Sequence, residues 1–124
     1  MKKRVLLSIH PEYANAIFSG KKGFEFRRVL PKRTVHEVFV YATAPISRVI
    51  GRFLIEEIYE GTPDELWKRT EPPAGVSKEK FDAYFEGKRI AFAIKVSDPI
   101  LFSRPKPLST YLTSKTPPQS FCYI

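Results

Sequence analysis

A short basic turn, followed by charged residues that alternate with phenylalanine, is the part of the sequence best suited to bind an anion or transfer protons. The turn runs from Gly20 to Gly23, and the next four residues are Phe24-Glu25-Phe26-Arg27. A period of two is typical of a half-buried strand. We therefore predict a strand from Phe24 to Val29 that presents Glu25 and Arg27 on one face.

These charged side chains suit nucleic-acid recognition. Lys21 and Lys22 can contact phosphate, Glu25 can accept a hydrogen bond from a base amino group, and Arg27 can hold phosphate with two parallel hydrogen bonds. Lys22 and Glu25 are also candidates for an acid–base pair. The structural alternative is that the lysines stabilise the end of a helix while Glu25 and Arg27 form a solvated salt bridge.

Aromatic and hydroxyl-bearing residues elsewhere in the chain extend the candidate site. Tyr41 and Tyr84 can stack on an unpaired base, with core packing as the alternative for each. Thr43 and Ser47 follow a predicted strand and can face the same cleft, and two polar residues of the tail can close it. The complete set of candidate binding residues is Lys21, Lys22, Glu25, Arg27, Tyr41, Thr43, Ser47, Tyr84, Gln119 and Ser120.

No pattern in the sequence indicates a metal or a cofactor. The two histidines, His10 and His36, have no ligand-type residues at suitable spacing, and Cys122 is the single cysteine. A phosphate-binding glycine-rich loop and a nucleophile elbow are both missing from the sequence. We expect neither a metal site nor a cofactor.

The composition favours an anionic partner. The chain has 124 residues, with 21 lysines and arginines against 13 acidic residues, for a formal net charge of +8. Nucleic acid is the first candidate and an acidic membrane surface the second. The apolar run Val5–Leu7 is too short for a signal peptide, and no later stretch could span a bilayer. We expect a cytoplasmic protein with one domain over residues 1–124.

The predicted order of elements is β-α-β-β-β-α-α-β-β, which is typical of an α+β fold with a curved, mostly antiparallel sheet or small barrel. Helices are predicted to begin at Pro11, at Pro63 after an N-cap threonine, and after the N-cap Ser77. Asp98-Pro99 is predicted to turn the chain between the last two strands. The strands are predicted at Val5–Ile9, Phe24–Val29, Glu37–Ala42, Arg48–Tyr59, Arg89–Val96 and Ile100–Phe102.

Four stretches together resemble the ASCH domain, a branch of the PUA-like superfamily. They are Ile9–Lys22, Glu25–Arg28, Val40–Gly51 and Pro117–Phe121. The resemblance spans nearly the whole chain and implies a PUA-like β-barrel, or pseudobarrel, with a few flanking helices. It also implies a cleft near the Gly-Lys turn that binds RNA or a nucleotide, with DNA as a further possible ligand.

The same resemblance leaves catalysis open. Some small ASCH-like proteins are amidohydrolases that act on N4-acetylcytidine, and others are ribonucleases. In the amidohydrolase pattern a lysine of the turn activates a threonine nucleophile. Lys22 matches that lysine, but Glu25 occupies the threonine position. A nucleic-acid-binding module is therefore the favoured interpretation, and a small hydrolase acting on a modified nucleoside or RNA is the alternative.

Overall fold

The fold is a six-stranded mixed sheet that curls into a half-barrel and carries three α-helices. The computed structural model describes residues 3–71, 74–114 and 116–124. In chain order the elements are β1 (Arg4–Ile9), α1 (Pro11–Phe18), β2 (Phe24–Arg27), β3 (Glu37–Ala42), β4 (Arg48–Gly61), α2 (Pro63–Thr70), α3 (Lys78–Tyr84), β5 (Ala91–Lys106), a 3-10 turn (Leu108–Thr110) and β6 (Phe121–Tyr123).

The strand order across the sheet is β2-β5-β4-β3-β1-β6. Only the β1–β3 pair is parallel, so the prediction of a mostly antiparallel sheet is confirmed. The long strands β4 and β5 pair with three register shifts. Bulges of this kind increase local twist and bend a sheet, which accounts for the curl.

A side chain joins the two edge strands of the half-barrel. Nη2 of Arg27, at the end of β2, donates to the carbonyl oxygen of Ser120 at 3.2 Å and to its hydroxyl at 2.5 Å. Ser120 immediately precedes β6, and Ser8 of β1 holds the same segment by donating its hydroxyl to the Pro118 carbonyl at 2.6 Å. The barrel is therefore closed on this side by a guanidinium group.

Three apolar clusters stabilise the arrangement. The first lies between the sheet and α1 and includes Val5, Val38 and Phe53. The second joins β2 to α2 and α3 through Phe26, Leu66, Phe81 and Phe85. The third lies under the C-terminal segment and includes Leu6, Phe39, Tyr41 and Val49. The second cluster fixes α3 directly over the β2 strand, which matters for the site described below.

The predicted helix boundaries are confirmed. The Thr62 hydroxyl accepts from the Glu65 amide at 3.2 Å, and the Ser77 hydroxyl accepts from the Lys80 amide at 3.2 Å. Gly20 has a φ of +83°, which is the left-handed conformation expected after α1. These contacts are local, so the neighbouring sequence is sufficient to specify them.

Gly51 provides a close approach between β4 and its surroundings, as the sequence indicates for a glycine inside a strand. A Cβ atom there would lie 2.5 Å from the carbonyl oxygen of Ile100 and 2.6 Å from the ring of Phe18. The glycine therefore allows α1 and β5 to pack against the same point of β4.

The prediction that β2 is half-buried and extends to Val29 is wrong. The strand ends at Arg27, and all four of its residues are buried. The α3 helix covers the phenylalanine side, while the segment before β6 and the ion pairs of Glu25 cover the charged side. Glu25 and Arg27 do form the salt bridge considered as an alternative, at 3.1 Å, but the pair is buried rather than solvated.

The predicted turn at Asp98-Pro99 is wrong as well. The strand β5 continues from Ala91 to Lys106, and it begins two residues later than the predicted Arg89. Ser97 pairs with Leu54 and Ile100 with Arg52, so Asp98 and Pro99 are two residues opposite one. They form a bulge, with Asp98 at a φ of +49°, rather than a reversal of the chain. The C-terminal segment forms a further strand, β6, which pairs antiparallel with β1.

Candidate functional site

A cavity of about 490 Å³ lies beside the Gly20–Gly23 turn. The end of β1 and the start of α1 form one wall, β2 forms the floor, and α3 with the loop before it forms the other wall. Tyr13 and Tyr84 contribute aromatic rings to opposite walls, and Val76, Phe81 and Ala83 contribute apolar surface. The cavity is therefore large enough for a small organic ligand, since such sites commonly measure about 300–1,000 Å³.

The floor carries a chain of ion pairs, which we call the charged triad: Lys22, Glu25 and Arg27. Nζ of Lys22 lies 3.1 Å from Oε1 of Glu25, and Nη1 of Arg27 lies 3.1 Å from Oε2 of Glu25. The exposed fractions are 2% for Lys22, 6% for Glu25 and 9% for Arg27. Buried ionised groups are costly unless they are paired, so the triad is a constrained unit rather than a surface salt bridge.

The Gly-Lys turn and a second loop hold Lys22 in place. The Lys22 amide donates to the Ala16 carbonyl at 3.0 Å, and its ammonium group donates to the Phe24 carbonyl. Gly75, at a φ of +76°, lies so close to the lysine side chain that a Cβ atom there would overlap it. The ammonium group is also 5.0 Å from the centre of the Phe26 ring. The side chain is therefore fixed with its charge at the cavity floor.

Positive charge exceeds negative charge among the residues that line the cavity. Lys22, Arg27 and Lys80 are the cations and Glu25 is the carboxylate. Lys80 is exposed and its ammonium nitrogen lies 3.8 Å from a carboxylate oxygen of Glu12, outside the cavity. Each Glu25 oxygen already accepts from a cation of the triad. The arrangement therefore favours a ligand that carries acceptors and negative charge.

The structure brings half of the predicted site residues together. Lys22, Glu25, Arg27 and Tyr84 line the cavity, and Ser120 contacts it through Arg27. The guanidinium carbon of Arg28 lies 4.5 Å from the centre of the Tyr84 ring, so this tyrosine already participates in a cation–π contact.

The other five predicted residues lie outside the cavity. Tyr41 is buried in the third apolar cluster, Thr43 and Ser47 lie on the turn between β3 and β4, and Gln119 is exposed. Lys21 is exposed and lines a neighbouring groove. Thr43 contacts a residue that lines the cavity, because its amide donates to the carbonyl oxygen of Ile9 at 3.1 Å.

Sequence reasoning missed Tyr13, Lys80 and the apolar wall. Tyr13 lies on α1, where an aromatic residue is equally compatible with core packing, and its side chain borders the cavity. Lys80 precedes Tyr84 by four residues on α3, so the two share a face of that helix. That spacing was the signal that could have placed Lys80 in the site. The apolar wall carries no comparable signal, because its residues are typical of any core.

The fold and site define the class of protein. The ASCH domain matches residues 7–100, and the chain belongs to the ASCH domain family. The ASCH domain-containing ribonuclease of Zymomonas mobilis is 36% identical over 126 residues, which cover 99% of this chain and 85% of that protein.

Solved structures agree with the fold. The crystal structure of ASCH from Zymomonas mobilis superposes with a TM-score of 0.85 at 36% identity, covering 98% of this chain and 87% of that chain. The N-terminal domain of Staphylothermus marinus McrB gives a TM-score of 0.50 at 12% identity over 89% of this chain and 79% of that chain, which shows a shared fold alone. The predicted ASCH relationship and PUA-like fold are confirmed.

The described residues contain neither a metal-binding cluster nor a membrane-spanning helix. Over residues 3–71, 74–114 and 116–124, no three histidine, cysteine, aspartate or glutamate side chains are grouped so as to hold a metal ion. Within the same ranges, the helices are too short and too polar to cross a membrane.

Proposed function

We propose that this chain binds RNA and holds one unpaired nucleotide in the cavity beside the Gly-Lys turn. The observation that carries the proposal is the buried charged triad on the floor of a cavity with tyrosines on two walls. Single-stranded nucleic acids are commonly held in this way, by aromatic rings that stack on bases and by cations that contact phosphate.

The energetics of the cavity support a polar, anionic ligand over an apolar one. Lys22 and Arg27 share a single carboxylate, so the triad retains a buried positive charge. The walls exclude water from one side of that charge, which strengthens its attraction for a phosphate or a base carbonyl. The net charge of +8 adds long-range attraction to any nucleic acid. DNA is the competing ligand, and the name of the Zymomonas mobilis relative, a ribonuclease, favours RNA.

The test is fluorescence-anisotropy binding to single-stranded RNA, duplex RNA and duplex DNA at two salt concentrations. Lys22→Met removes the buried ammonium group while keeping most of the side-chain volume, and we expect about tenfold weaker binding of single-stranded RNA. Tyr84→Ala should weaken binding by a similar factor if the ring stacks on a base. Lys68→Met, on the exposed face of α2, makes the same charge change outside the cavity and serves as the control.

The expected result is salt-sensitive binding of single-stranded RNA that falls with both cavity variants and changes little with the control. Equal losses for Lys22→Met and Lys68→Met would mean that the basic surface binds nonspecifically. Failure to bind all three nucleic acids at low salt would contradict the proposal.

RNA cleavage is the second candidate, and the relative named a ribonuclease is the observation that favours it. In this case Glu25 accepts the proton of the attacking 2′-hydroxyl, and Lys22 stabilises the charge on the phosphate. The 2′-oxygen forms a bond to phosphorus as the P–O5′ bond breaks, which gives a 2′,3′-cyclic phosphate, and the leaving 5′-oxygen takes a proton from water. Incubation of end-labelled RNA should then give fragments, and a substrate with a 2′-deoxy linkage should resist. Cleavage unchanged in a folded Lys22→Met variant would remove this triad from the reaction. N4-acetylcytidine, incubated in parallel, tests the amidohydrolase alternative.

A further inference from the structure

The charge around the cavity is unbalanced. Among the lining residues, Lys22, Arg27 and Lys80 are cationic and only Glu25 is anionic, so the formal sum is +2. Glu12, outside the cavity, offsets Lys80 only weakly because both side chains are more than half exposed to water. Lys22 and Arg27 are buried and share the single carboxylate of Glu25, so water screens their charges much less than that of Lys80. The site is therefore built for a ligand group with more than one negative charge.

The hydrogen-bond capacity of the triad leads to the same conclusion. The Lys22 ammonium group uses two of its three N–H donors, on the Phe24 carbonyl and on Glu25. Arg27 uses three of its five donors, one on Glu25 and two on Ser120. Within the described part of the chain, donors therefore remain without a partner on two cations that both contact Glu25. Phosphate oxygens are the acceptors that best match such a pair.

We propose that the cavity binds a terminal phosphate of the RNA, a phosphomonoester, in preference to the phosphodiester of an internal nucleotide. This inference rests on the proposed function and specifies which part of the RNA enters. A phosphomonoester carries about −1.5 to −2 charge at pH 7 and presents three free oxygens, whereas a diester carries about −1. The monoester therefore compensates the formal +2 of the lining residues more completely. The base of the same nucleotide can then stack on Tyr84 near the opening, beside Arg28.

Lys80 is the residue whose substitution should change this preference without destabilising the fold. Lys80 lies on the exposed side of the cavity and its side chain is 59% exposed. Lys80→Met lowers the formal charge of the cavity lining from +2 to +1 without touching the buried triad. It should therefore weaken binding of a terminal phosphate more than binding of an RNA with hydroxyl ends. Lys68→Met is again the matched control.

The experiment compares one internally labelled RNA octamer in three forms, with a 5′-phosphate, with a 3′-phosphate, and with hydroxyl groups at both ends. We expect one of the phosphorylated forms to bind about tenfold more tightly than the hydroxyl form, and its identity distinguishes the two possible sources of the phosphate. Lys80→Met should reduce this ratio to about one third, and Lys68→Met should preserve it. Equal affinity for all three forms would overturn the inference and leave RNA binding intact.

A second measurement separates this inference from the proposed function. Thermal shift with adenosine, adenosine 5′-monophosphate and adenosine 3′-monophosphate requires no RNA. A rise in melting temperature with a monophosphate but not with adenosine, together with failure to bind any octamer, would retain the phosphomonoester site and refute RNA binding. A lack of response to all three compounds, with all octamers unbound, would overturn both.

Discussion

Glu25→Gln tests whether the charged triad is a buried, mutually dependent unit. Among the residues that the structure describes, Glu25 is the only carboxylate in contact with Lys22 and Arg27, at 3.1 Å on each side. The glutamine keeps the shape but leaves two cations in a buried position without a counter-charge. Removing one partner of a buried ion pair typically costs about 3–5 kcal/mol. We expect Glu25→Gln to lower the free energy of unfolding by about 3 kcal/mol, because the amide oxygen of glutamine can still accept one hydrogen bond.

This loss should be easy to measure by thermal unfolding. The entropy of unfolding is about 2.1 cal/mol/K per residue, so a chain of 124 residues gives roughly 0.26 kcal/mol/K. A loss of about 3 kcal/mol therefore lowers the Tm by about 12 °C. Glu56→Gln is the matched control, because it removes the carboxylate of an exposed ion pair with Lys95 at 2.8 Å. We expect that control to change the Tm little, since exposed pairs contribute little.

A double variant tests whether the charges of the triad compensate one another. Glu25→Gln combined with Lys22→Met removes one of the two uncompensated cations, so the triad returns to a single positive charge. The double variant should therefore be more stable than Glu25→Gln alone, by about half of the loss. If Glu25→Gln lowers the Tm no more than Glu56→Gln does, or if the second substitution adds a further full loss, the charges of the triad do not compensate one another.

Three further predictions concern packing, closure and titration. Gly51→Ala should lose about 2–3 kcal/mol in chemical denaturation, because its Cβ would meet a backbone carbonyl of β5. Gly61→Ala is the control, because a Cβ there would meet the flexible end of the Glu65 side chain and make an ordinary contact with Leu66; equal losses would refute the close approach. Arg27→Lys keeps the charge but loses the two hydrogen bonds from the guanidinium group to Ser120. Hydrogen exchange of the β6 amides should therefore become about tenfold faster. Unchanged exchange would show that the guanidinium group does not close the barrel. Burial raises the pKa of the Cys122 thiol, so thiol alkylation should reach half its maximal rate above about pH 8.5, the ordinary cysteine value. The pKa of the thiol is higher in the folded state than in the unfolded state, so the protonated thiol stabilises the fold below about pH 8.5. This stabilisation is lost as the pH rises through the folded-state pKa. An alkylation midpoint at or below about pH 8.5 would contradict the raised pKa.

Most of the secondary structure could be predicted from the sequence because its determinants are local. The caps at Thr62 and Ser77 and the left-handed Gly20 each involve residues within a few positions of one another. The bulge at Asp98-Pro99 could not be predicted, since the same two residues suit a turn equally well. Pairing with β4 on both sides of the bulge decided the outcome.

The candidate site could also be predicted from the sequence only in part. The sequence by itself determined that Lys22, Glu25 and Arg27 belong to one turn and strand, because only one or two residues separate each from the next. It could not determine that Tyr84 borders their cavity while Tyr41 lies in a separate apolar cluster, since a tyrosine is equally suited to stacking on a base and to core packing. The positions of α3 over β2 and of β3 within the sheet make that distinction.

The tertiary structure also decided the physical character of the charged residues. An alternation of phenylalanine and charge is the same pattern whether the charged face meets water or protein. Ser120, 93 residues along the chain from Arg27, covers that face and turns a surface pattern into a buried one. Burial depends on contacts between distant segments, and it is burial that converts an ordinary ion pair into a constrained charged unit at the floor of a cavity.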